Sequence, residues 1–130
     1  MAGNKFRVVD SSFILSYLLP DENLPEVEKA FSQYELAEIE FIGTKLLPFE
    51  VFNGLWTATV VKNRISKNQL RDLADRFLRM NIKLIDIDYL SVLELAVSKN
   101  LTFYDVCYFY ISKIRKIPLL TLDQSLQKLV

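Results

Sequence analysis

The sequence predicts an α/β fold of one domain, a central parallel sheet of about four or five strands with helices on both faces. Three observations carry this. Short, mostly apolar runs such as FRVV (6–9) and IPLLTL (117–122) suit strands buried on both sides, as in parallel sheets. Those runs alternate along the chain with segments of helical spacing. The 130 residues, 51% of them hydrophobic, are enough for one filled core and leave little room for a second.

Taken in order, Phe6–Val9 is the first strand, and Asp10 follows it at once. Residues 12–19 form a short helix stopped by Pro20. Asn23-Leu24-Pro25-Glu26 opens a second helix, with Pro in the first turn and acids after it, and Val27, Ala30, Phe31 and Tyr34 mark one face. Glu40–Thr44 (EFIGT) is a short strand. Residues 47–64 read as one long helix entered near Pro48. Ser66-Lys67-Asn68-Gln69 resembles a cap, opening a helix to Met80 whose apolar face is Leu70, Leu73, Ala74, Phe77 and Leu78. Residues 82–87 form a strand, and 89–98 a helix that Asp88 is expected to cap. Residues 102–113 form a helix apolar nearly all round and therefore buried. Residues 117–122 are a buried strand, and 123–129 a closing helix.

Composition excludes several chemistries. There is no His, so Ser-His-Asp and Cys-His catalysis and His-containing zinc sites are ruled out. The single Cys107 has no intrachain partner and stands in an apolar run, which suits a buried structural thiol in a reducing compartment. Charge is balanced, 16 basic residues against 16 acidic, so net charge offers no general attraction to nucleic acid. No segment has the length of a membrane span, and MAGNKF lacks the apolar stretch of a signal peptide. The expectation is a cytoplasmic protein without a membrane partner.

Four carboxylates stand out. Val8-Val9 runs into Asp10, and Leu119-Leu120-Thr121-Leu122 into Asp123; both acids fall where a strand ends and a helix begins. Ligands of open α/β sheets bind at that edge. Glu50 sits in LLPFEVFNGLW and Asp105 in LTFYDVCYFYI, each among apolar neighbours with no Lys or Arg at helical spacing. Buried carboxylates without a basic partner are costly unless they bind a cation, and a hard divalent metal is the best explanation of all four.

The stretches VVDSSFIL, LLPFEVFNGL, LTFYDVCY and PLLTLD stand in this order across residues 8–123. With them the chain resembles a PIN domain, in particular the VapC-type toxin ribonucleases, over nearly all of 1–130. The resemblance implies the three-layer PIN-like fold and a metal-dependent endoribonuclease, the toxin of a toxin–antitoxin pair. It makes Asp10, Glu50, Asp105 and Asp123 the acidic quartet, with Ser12, Asn53 and Thr121 in support. It implies one or two Mg2+ or Mn2+ ions on those acids, with Glu50 orienting or deprotonating the attacking water and 5′-phosphate and 3′-hydroxyl ends as products. It further implies an RNA substrate, a cognate antitoxin and a homodimer, for which residues 18–20 and 49–56 offer apolar surface.

Each of these residues also has a plainer reading. Asp10 and Asp123 could only cap helices, Glu50 could only meet a helix dipole, and Asp105 could be a buried acid bonded to backbone. Ser12, Asn53 and Thr121 could be caps, and Phe49, Phe52 and Trp56 read as core or a protein contact ahead of a base-stacking platform. Lys113, Arg115 and Lys116 precede the strand that leads to Asp123 and are candidates for RNA contact; Lys62, Arg64, Lys67, Arg71, Arg76 and Arg79 read as solvated helix faces. Two alternatives to the nuclease remain: a non-catalytic PIN-like binding module, and a receiver-like phosphoacceptor domain, which Asp10-Ser11-Ser12 disfavours by lacking an acidic pair.

Overall fold

The computed structural model describes residues 5–130; most of MAGNKF, read above for a leader, lies outside them. The elements run β1 (Phe6–Val9), α1 (Ser11–Leu18), α2 (Pro25–Glu35), β2 (Glu40–Thr44), α3 (Leu47–Trp56), a π-helical turn (Thr57–Val61), α4 (Lys67–Arg79), β3 (Lys83–Ile85), α5 (Tyr89–Lys99), α6 (Phe103–Arg115), β4 (Leu119–Leu120) and α7 (Gln124–Gln127). The four strands are all parallel, in the order β3-β2-β1-β4. The chain builds outward from β1 to β3 and then returns to the other flank of β1. The order therefore reverses between β1 and β4, and the carboxyl end of that junction is where such sheets place their ligands.

The central strands are the apolar ones. Val8 and Val9 are fully buried, as are Leu47, Val51 and Leu55 along one face of α3. The helix α6 packs on β1 and β2, while α1 packs on α3. Helix α5 closes on α6 through a smaller cluster of Val92, Ala96, Val106 and Cys107. Ser66 and Gln69 form a reciprocal capping box at the start of α4. No helix among the described residues is long and apolar enough to cross a membrane.

Several expected boundaries move. The helix expected over 47–64 is α-helical only to Trp56. Thr57-Ala58-Thr59-Val60-Val61 is rich in β-branched residues, which crowd an α-helix. There Lys62 N–H reaches back five residues to the carbonyl of Thr57 at 2.9 Å, and Thr59 Oγ1 donates to the carbonyl of Leu55. The strands expected over 82–87 and 117–122 shorten to β3 and β4, which are the sheet's two edges and pair on one side only. Leu78, expected on the apolar face of α4, is exposed, as is Tyr104 on the helix expected over 102–113 to be buried. Arg64, read as part of a solvated helix face, pairs instead with the exposed Asp21 and Glu22.

Candidate active site

Asp10 leaves the end of β1 as the N-cap of α1, and its carboxylate accepts the Phe13 N–H at 3.1 Å. Two hydroxyls also serve it. Ser12 Oγ donates to Asp10 Oδ1 at 2.7 Å, and Thr121 Oγ1 donates to Oδ2. Each hydroxyl then accepts a backbone N–H from the junction after β4, Ser12 from Leu122 at 2.9 Å and Thr121 from Asp123 at 3.0 Å. The two hydroxyls thus tie the end of β1 to the turn that carries Asp123. Asp123 caps α7, taking the N–H groups of Ser125 and Leu126 at 2.8 and 3.2 Å.

Glu50 comes from the first turn of α3, which follows the neighbouring strand β2. Tyr108, buried in the middle of α6, donates its hydroxyl to Glu50 Oε1 at 2.5 Å. Asp105 lies in the first turn of α6, capped by Thr102, whose Oγ1 accepts the Asp105 N–H at 3.2 Å. So all four acids lie at helix N-termini, where backbone N–H groups favour an anion.

Electrostatics bind the four into one group. Burial pushes the pKa of Asp10 above its ordinary value, against the hydroxyl and backbone bonds, and the charge of Asp123 adds to the rise. Burial raises Glu50 too, opposed by Tyr108 and assisted by the charges of Asp10 and Asp105. Asp105 is raised by burial, eased by Thr102 and raised further by Asp123. The ion pairs of the described residues join Lys5 to Glu40, Lys45 to Asp86, Arg64 to Asp21 and Glu22, and Arg79 to Asp75, and so leave these acids out. An all-oxygen donor set without cationic partners suits a hard divalent ion. Among the described residues, however, no three acids are gathered closely enough to hold a metal ion between them. An ion held here would keep much of its water, as Mg2+ does.

The supporting residues divide. Ser12 and Thr121 touch Asp10, whereas Asn53 is exposed one turn along α3 from Glu50. Lys113, Arg115 and Lys116 lie at the far end of α6, about 15 Å of helix from Asp105, at the edge of the sheet where the strands begin. The strand β4 then carries the chain across the sheet to Asp123, so these three bases are not brought to the acids. Cys107 is buried, and burial lifts its thiol to about 11, consistent with a structural thiol. Asp88 caps α5 as expected, accepting the Ser91 N–H at 3.0 Å. Phe49, Phe52 and Trp56 are exposed rather than core.

Sequence reasoning overlooked Tyr108 and Thr102. The Thr-x-x-Asp spacing of a helix cap was a signal for Thr102. Tyr108, one of three tyrosines on α6, had no such signal, since an aromatic residue in an apolar helix reads as core.

No family model matches the chain. It is 29% identical over 126 residues to Ribonuclease VapC3 of Pyrobaculum aerophilum, a match that covers 92% of this chain and 90% of that one. Its fold is similar to the crystal structure of PAE2754 from the same organism, with a TM-score of 0.74 over 95% of this chain and 78% of that one, at 22% identity.

Proposed function

We propose that the protein is a metal-dependent endoribonuclease, the toxin of a toxin–antitoxin pair, with Asp10, Glu50, Asp105 and Asp123 as its catalytic acids. The observation that carries this is the coupling of the four acids, without a basic partner, at the point where the sheet order reverses. The similarity to a protein named as a VapC ribonuclease, over most of both chains, supports the same reading.

Asp10, Asp105 and Asp123 would hold Mg2+ or Mn2+, as one or two ions, with Glu50 beside them. The ion would supply charge neutralisation at the scissile phosphate and a bound water of lowered pKa. Ser12 and Thr121 fix both oxygens of Asp10, so its orientation does not depend on the ligand. Glu50 would accept the proton of the attacking water: burial raises its pKa above the ordinary carboxylate value, and Tyr108 holds one oxygen so that the other can work. Water attack leaves a 5′-phosphate and a 3′-hydroxyl.

The partners on this reading are RNA, a cognate antitoxin and a second copy of the chain. Phe52 and Trp56 on α3 and, separately, Leu90, Leu93 and Val97 on α5 offer exposed apolar side chains for protein contacts, whereas Leu18 and Leu19, expected to do so, are buried.

The test is cleavage of single-stranded and structured RNA with Mg2+ or Mn2+, with chelator, and with Asp10→Asn. Cleavage is expected only for the wild-type protein with metal. Cutting that survives the chelator or the substitution would overturn the reading.

A further inference from the structure

A half-open cavity of about 340 Å³, within the range of small-ligand sites, is lined in part by the residues that precede Glu50 and Asp105 in the chain. Its walls are aromatic: Phe49 from α3, Tyr89 from α5, and Phe103 and Tyr104 from α6. Phe49 is 75% and Tyr104 58% exposed, so among the described residues much of each ring faces solvent. Tyr89 and Phe103 stack nearly parallel, their centroids 6.3 Å apart. Lys45 and Asp86 also line the cavity and pair at 2.9 Å.

The cavity adjoins the candidate active site through the chain itself. Phe49 precedes Glu50, and Tyr104 precedes Asp105. Cys107, in the cavity lining, feels the charges of both Glu50 and Asp105. A phosphate held at the acids would therefore place the base beside it at this opening.

We propose that this cavity is a nucleobase subsite, in which a base of single-stranded RNA next to the scissile phosphate stacks on Phe49, Phe103 and Tyr104 while Lys45 and Asp86 meet its polar edge. The proposal rests on the ribonuclease reading above and adds to it where binding comes from. Charge does not supply it: the chain is neutral, and Lys113, Arg115 and Lys116 stand at the other end of the sheet. Aromatic stacking is the term available for a flexible single strand. A planar base suits ring faces, and Lys45 and Asp86 provide a donor and an acceptor. The apolar side chains that a protein partner would cover on α5, Leu90, Leu93 and Val97, lie outside the cavity lining.

The experiment measures binding, with Mg2+ present, to the Glu50→Gln protein, in which the proposed cleavage does not run but the aspartates are intact. Two short single-stranded RNAs are compared, one carrying 2-aminopurine and one with an abasic residue at that position. Both have the same phosphates, so their electrostatic terms cancel. The expected result is quenching of 2-aminopurine fluorescence on binding and tighter binding of the base-bearing strand. Phe49→Ala and Tyr104→Ala should each weaken that strand about 5- to 100-fold and leave the abasic strand unchanged. Both positions are exposed, and unchanged circular dichroism verifies the fold of each variant.

Equal affinity for the two strands, loss of both in the variants, or no binding at all would overturn the subsite. So would a change in oligomeric state on sedimentation with either substitution, which would assign the cavity to contact with a second copy. Base-dependent binding of RNA that the wild-type protein never cuts would sink the ribonuclease reading instead, so the two failures are distinguishable.

Discussion

At Glu50 two effects oppose each other. Burial and the charges of Asp10 and Asp105 disfavour the carboxylate, and the Tyr108 hydroxyl at 2.5 Å favours it. The balance leaves its pKa above the ordinary value, so the ionised group destabilises the metal-free fold. Glu50→Gln should therefore raise the thermal midpoint of the metal-free protein at pH 7 by a few degrees, equivalent to about 1 kcal/mol or less after solvent screening. Gln keeps an acceptor for Tyr108 and turns its amide toward the other acids. The wild-type carboxyl becomes protonated as pH falls through its raised pKa, which removes the same repulsion, so the gap between the proteins should close in acid. A calorimetric series from pH 7 to 4 checks this, and a midpoint lowered by the substitution at pH 7 would contradict it. Glu50 was legible in the sequence because a carboxylate among apolar neighbours has few explanations. Tyr108 was not, because an aromatic residue in an apolar helix usually means core, and only the approach of α6 to α3 gives its hydroxyl a partner. Lys113, Arg115 and Lys116 show the converse: nearness to Asp123 along the chain is undone when β4 crosses the sheet.

The elements that were legible are those whose own side chains decide them. Phe6–Val9 and Glu40–Thr44 were predicted with the bounds they have, since each is an apolar run ended by a polar group. Helix α4 announced itself through Ser66 and Gln69 and its apolar spacing. The end of α3 was hidden, because the switch to a π-helical turn depends on hydrogen bonds as much as on residue type. The edge strands β3 and β4 were overestimated because apolarity measures burial, while strand length depends on a neighbour to pair with. The packing of α1 on α3 has its own requirement at Gly54. A Cβ there would clash with a methyl group of Leu15 and lie 3.2 Å from Leu15 Cγ, the branch point, so rotating one methyl group does not relieve it. Gly54→Ala gains about 1 kcal/mol of helix propensity but overpacks this contact at a cost of about 1–3 kcal/mol. The expected net is a lower urea midpoint with an unchanged slope. In a double-mutant cycle Gly54→Ala should cost less in a Leu15→Ala background than alone; strictly additive effects would mean that the two helices adjust without strain.

For the molecule as a whole, neutral net charge conceals a strong local asymmetry. Asp10, Glu50, Asp105 and Asp123 stand at the N-terminal ends of α1, α3, α6 and α7, within electrostatic reach of one another and without an ion-pair partner among the described residues. Helix N-termini and the hydroxyls of Ser12 and Thr121 offset part of the repulsion, yet three of the acids still have raised pKa values. Free energy is therefore stored where a cation would release it, an arrangement that functional sites carry at the expense of stability. A divalent ion that binds the folded state and not the unfolded chain stabilises by mass action, about 2.7 kcal/mol at a hundred times its dissociation constant. Mn2+ or Mg2+ should accordingly raise the thermal midpoint of the wild-type protein in a saturable way, beyond the effect of NaCl at equal ionic strength. Asp10→Asn should lose most of that rise, because it removes the carboxylate that Ser12 and Thr121 hold in place between the ends of β1 and β4. This readout needs no substrate, so it tests the metal site separately from the choice of RNA. A rise of the same size in both proteins would place the ion elsewhere and leave the acids with only their capping roles.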